Sequence, residues 1–192
     1  MPESQSQPVT ADSYTRRMLE AAATVGFSPA VAADLPAARV VAAELMEHQV
    51  ASEATLLGVL SRQPASTLVY RDAGAVSGMV ATLLLRPEAE PVLRAGEFDG
   101  LTPPDALLAW GADPVAFYYL WGIAGATKMA SSAVMELSHL FRYDVLAELT
   151  AYAVAATPVG RHVGVTKLGF EPVRHPGDDL LVSRSQHARV AA

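Results

Sequence analysis

The spacing of apolar residues changes along the chain, and each change predicts an element. Residues 115–123 are almost wholly apolar and aromatic, the pattern of a strand buried on both faces. The period then switches: Ala133, Leu137, Leu140 and Phe141 stand at i, i+4, i+7 and i+8, one face of a helix. Between them lies a turn of small residues containing Gly122, Gly125, Thr127, Lys128, Ser131 and Ser132. A strand, a turn and a helix leave unpaired N–H groups at the helix N-terminus, where the dipole attracts anions. Neither the Walker nor the dinucleotide-binding glycine pattern is present there.

The same reading extends over the rest of the chain. Residues 1–12 form a polar tail and 14–24 a short helix, with an edge strand as the alternative. Val25 to Ala30 is a first strand. Asp34 is placed as the N-cap of a helix running to about His48, with Pro36 in its first turn. Ser52 caps a second helix that ends before Pro64. Thr67–Tyr70 and Val76–Leu85, joined at Asp72-Ala73-Gly74, predict an antiparallel hairpin. Residues 87–113 read as a long acidic connection with four prolines and a short helical turn between Asp105 and Trp110. Leu149–Ala155 is a strand. Thr157-Pro158 opens a helix that stops at Gly169. Phe170–Val173 and Leu180–Val182, with a turn at His175-Pro176-Gly177, are the last strands. The expected fold is α+β: a single domain over 13–184, with helices on both faces of a mixed sheet and a second tail at 185–192.

Composition narrows the classes. Apolar residues make up 51% of the chain and charged residues 18%, which argues against general disorder. The absence of cysteine removes disulfides and thiolate chemistry. No long apolar run predicts a membrane span, and the polar start does not read as a signal peptide, so a cytoplasmic location is expected. A formal charge of −6 speaks against unspecific nucleic-acid binding. Histidines and carboxylates show no metal-ligand spacing, so no metal site is expected.

Three local sequences fall in an order that resembles the GNAT acyltransferase superfamily. Ser28 to Ala37, with Asp34-Leu35 inside it, looks like that family's opening strand and first helix. Ser77-Gly78-Met79-Val80 looks like its second hairpin strand. Ala155 to Val173, with Leu168-Gly169-Phe170, looks like its fourth helix and the strand that follows. The resemblance implies a GNAT-like three-layer fold with about six to seven strands. It implies acetyl-CoA or another acyl-CoA as cofactor, bound where residues 115–123 and 149–155 splay apart. The pantetheine would lie along Trp121, Gly122 and Ile123, and the pyrophosphate on Lys128, Met129, Ala130, Ser131 and Ser132. The usual turn signature is not kept: Ala126 stands at its basic or amide position and Met129 at its first glycine. Val165 stands where the family often has an acidic tyrosine. Tyr152 and His162 are the remaining candidates for acid–base work.

The resemblance implies an N-acyltransferase acting on a small-molecule or peptide amine, with no nucleic acid and no membrane as partner; a homodimer stands as an open option. The two departures support an alternative, a non-catalytic member that binds a ligand or a protein. A structural subunit assembling through the aromatic strand and the acidic loop is the third reading.

Overall fold

The computed structural model describes residues 9–46, 50–173 and 179–185. Seven strands form one mixed sheet: β1 (Phe27–Pro29), β2 (Thr67–Asp72), β3 (Ala75–Leu85), β4 (Phe117–Gly125), β5 (Thr150–Val154), β6 (Glu171–Pro172) and β7 (Leu180–Ser183). Their order is β1-β2-β3-β4-β5-β7-β6, so the apolar segment β4 is central. Every pair is antiparallel except β4 and β5. These two are parallel because a helix, α5 (Lys128–Leu140), carries the chain back between them.

Helices cover both faces, giving the expected α+β, three-layer arrangement. One face carries α1 (Ala11–Thr24), α5 and α6 (Pro158–His162), the last continued by a π-helical turn at Val163–Lys167. The opposite face carries α2 (Leu35–Leu45), α3 (Glu53–Leu60) and α4 (Glu90–Ala95). The helix that stops at Gly169 is docked: Leu168 is 1% exposed, and Gly169 takes the left-handed φ of +68° that ends such a helix. Ser52 caps α3 as its sequence predicts, its Oγ accepting from Thr55 N–H at 3.1 Å.

Three local expectations are corrected. α1 begins at Ala11, capped by Thr10, and Thr10 bridges to Pro114, so residues 9–12 are structured. The sequence hides this because Ala11, Tyr14, Met18 and Ala22, the buried stripe, begin inside a polar stretch. Asp34 stands at the N-cap position of α2, but its side chain makes no capping bond there. Its Oδ2 accepts from Val31 N–H at 2.8 Å and from Arg71 at 2.6 Å, which ties the helix start to β2. The connection 87–113 is no open loop: it contains α4, and Ala89, Leu93, Leu108 and Ala109 are fully buried. Much of its acidity is neutralised, since Asp105 pairs with Arg62 and Asp113 with Arg86, each at 2.6 Å. α5 is capped by Thr127, whose Oγ1 accepts from Ala130 N–H at 3.1 Å. α2 ends at Leu45, short of the expected His48. The expected turn at 175–177 and most of both tails lie outside the described residues.

Candidate functional site

The parallel pair β4 and β5 is short. Its register runs from Phe117 opposite Thr150 to Leu120 opposite Ala153 and stops. Beyond Leu120 the two strands diverge. At the same point β4 carries a bulge against β3: Gly122 faces Ala81 and Leu120 faces Thr82, which leaves Trp121 without a partner. A bulge adds a residue and bends its strand, so the divergence has a local cause.

The divergence opens a cleft of about 550 Å³ lined from both faces of the sheet. Val134 and Met135 of α5, with Leu168, Phe170 and Leu181, wall one side. Glu44, Leu45 and Met46 at the end of α2 close the other. Residues 120–125 and 153–156 form its long edges. The lining is overwhelmingly apolar, and Glu44 is its one ionisable residue among those described. Leu45, Val154 and Val159, which line this cleft, are 48%, 44% and 72% exposed. Apolar surface gathered in a concave site marks a place for a ligand or partner.

The cleft lies at the C-terminal ends of two parallel strands, each followed by a threonine-capped helix. Thr127 heads α5, and Thr157 heads α6 with its Oγ1 accepting from Gly160 N–H at 3.0 Å. The C-terminal ends of parallel strands, where neighbours part, are the usual crevice of sheets that bear helices on both faces. In α5 the N–H groups of Lys128 and Met129 have no acceptor within the helix. The turn is drawn tightly onto the strand: Ser131 Oγ donates to Gly125 O at 2.9 Å.

The residues singled out in the sequence divide in two. Trp121, Gly122, Ile123 and Ser131 line the cleft. Lys128, Met129 and Ser132 are exposed at the start of α5 outside it, while Ala130 is fully buried beneath that turn. Met129 is 58% exposed, so it does not fill the space that a turn glycine would leave.

Neither Tyr152 nor His162 is among the lining residues. Tyr152 is buried on the α4 face, edge-on to Phe117, and burial raises its phenol above the usual range. His162 is exposed, with Nδ1 3.4 Å from Thr166 Oγ1. His139 Nε2 lies against Lys167 O at 3.0 Å on the surface of α5.

Sequence reasoning missed the wall from α2 and the contribution of residues 98–101. Leu45 continues the apolar stripe of α2 with Ala38, Val41 and Ala42, yet it is 48% exposed, which spacing along the helix does not reveal. Trp121 donates its indole N–H to Gly100 O, which brings the acidic connection to the bulge. No protein-family model and no curated protein matches the chain.

Proposed function

We propose that the chain is an acyl-CoA-dependent N-acyltransferase of the GNAT type. The observation that carries this reading is the cleft where β4 and β5 stop pairing at Leu120 and Ala153. Past Leu120, β4 offers backbone N–H and C=O groups that β5 no longer takes. An extended chain bearing amides, such as pantetheine, adds to such an edge as a further strand. The narrow apolar walls accept the chain and exclude water. The phosphates stay outside, near the free N–H groups of α5 and the exposed Lys128, whose ammonium has no partner among the described residues.

The chemistry needs little from side chains. An amine attacks the thioester carbonyl, the C–N bond forms, the C–S bond breaks, and the thiolate leaves to be protonated. Water accepts the proton that the amine loses. Orientation within the cleft supplies much of the rate, and a backbone N–H at the bulge stabilises the oxyanion. A second reading, ligand binding without transfer, is favoured by a specific observation: neither Tyr152 nor His162 lines the cleft.

Calorimetric titration with acetyl-CoA, longer acyl-CoAs and CoA tests the proposal. Binding is expected, weakened about threefold by Lys128→Ala and less so at high salt, the size of an exposed charge contact. No heat at millimolar ligand from folded protein removes the acyltransferase reading. Binding without acyl transfer to any amine leaves the non-catalytic one.

A further inference from the structure

A second cavity, of about 230 Å³, lies on the α2–α3 face of the sheet. It adjoins the cleft: Met46, Trp121, Val154 and Ala156 line both. Its inner wall is apolar, from Met46, Leu56, Met79 and Ala81. The remaining side is the segment Phe98-Asp99-Gly100-Leu101.

Two polar side chains, Tyr119 and Asp99, line this cavity. Tyr119 is 5% exposed and lines it. A Cβ built on Gly100 would lie 3.4 Å from that hydroxyl, which places the oxygen against the 98–101 segment. Burial, and then the nearby Asp99 charge, push the Tyr119 phenol up to about 12, so it stays protonated. A phenol that lines a cavity can accept a hydrogen bond from what the cavity holds. Asp99 is the second group, a solvent-exposed residue at the rim of the cavity. Its Oδ1 accepts from Leu101 N–H and its Oδ2 from Thr102 Oγ1, both at 2.8 Å. The hydrogen bonds from Thr102 and Leu101 hold its carboxyl below the usual range, so it is an oriented carboxylate. No cationic side chain is among the residues lining the cavity.

We infer that this cavity binds a primary amine carried on a compact apolar body, with the ammonium between Asp99 and the Tyr119 hydroxyl. The carboxylate supplies the charge, the hydroxyl accepts an N–H, and Met46, Leu56 and Met79 enclose the body. The volume suits a single ring with a short arm, since cavities near 150 Å³ take benzene. The residues shared with the cleft put such an amine beside the place where a thioester would lie. Its role as acyl acceptor rests on the transferase reading, whereas its binding does not.

The test titrates the full chain by calorimetry with phenethylamine and with 2-phenylethanol, which keeps the ring and arm but lacks the charge. The amine is expected to bind about tenfold more tightly, the margin of one charge-assisted contact. Asp99→Asn is expected to abolish that preference while leaving the alcohol unchanged. Tyr119→Phe is expected to weaken the amine by about threefold. Leu56→Trp, which fills the cavity, is expected to exclude both compounds, with folding checked by circular dichroism. Equal affinity for amine and alcohol, a preference that survives Asp99→Asn, or no binding by folded protein at millimolar amine overturns the inference. Amine binding without any heat from acetyl-CoA upholds this cavity and removes the transferase reading. The reverse result keeps the transferase reading and overturns the cavity.

Discussion

A Cβ added to Gly125 would stand 2.6 Å from the backbone nitrogen of Ser131. The end of β4 and the first turn of α5 are therefore in contact through their main chains, and only glycine permits it. The glycine that sets this approach is on the strand, four residues before the turn position occupied by Met129. Gly125→Ala is expected to push α5 away from the sheet and cost about 1–3 kcal/mol of stability, the range for overpacking. On the transferase reading proposed above it should also weaken acyl-CoA binding, because the N–H groups of Lys128 and Met129 move with the helix. Urea denaturation and ligand titration of the same variant measure both effects. Unchanged stability would show that α5 has slack at this point.

Leu168 closes the π-helical turn after α6 and is 1% exposed, packed in the α1–α5 face. It also lines the cleft. Leu168→Asp is expected to destabilise by about 3–5 kcal/mol, since it buries an unpaired charge. A melting midpoint equal to that of the unaltered protein would contradict the docking of this segment.

Arg142 is 2% exposed and holds the end of β7. Its Nε donates to Ser183 Oγ at 2.9 Å and its Nη2 to Arg184 O at 2.9 Å, yet Nη1 has no partner. No carboxylate pairs with it among the described residues. A buried cation without a counter-charge contributes little net stability, so its volume matters more than its charge. Arg142→Met should stay within about 1 kcal/mol of the unaltered protein, while Arg142→Ala should lose about 2–4 kcal/mol to the cavity. Chemical denaturation that places the two variants together would assign the stability to the hydrogen bonds instead.

Acid sensitivity is expected from Asp34. Burial raises its carboxyl, but the Val31 N–H and Arg71 more than offset this and leave it below the usual value. The folded protein then binds that proton less readily than the unfolded chain. The stability this provides is complete above the unfolded value of about 3.9 and is lost as pH falls through the lower folded value. Asp34→Asn should lower stability at neutral pH and flatten its decline below about pH 4. Denaturation midpoints measured between neutral pH and pH 2 check the slope, and parallel curves for the two proteins would count against it.

Local sequence suffices for the elements whose residues answer to one neighbour at a time. The continuous apolar run of β4, the turn at 72–74, the Ser52 cap and the stop at Gly169 depend on local period and local backbone, which one strand or one helix turn settles. Even the parallel pairing of β4 with β5 could be read, because a helical crossover permits little else.

The rest depended on tertiary structure. Nothing in residues 87–113 announces a core segment: its prolines and acids read as a solvated loop, and only packing under β3 and β4 buries Leu93 and Leu108. Whether a strand tyrosine meets core or cavity is equally invisible. Tyr119 and Tyr152 face each other in register, yet Tyr119 lines the smaller cavity and Tyr152 lines neither that cavity nor the cleft. The cleft is made by a bulge at Trp121 and by the residues at which pairing stops. Both are properties of two strands at once, and no spacing along one chain segment encodes them.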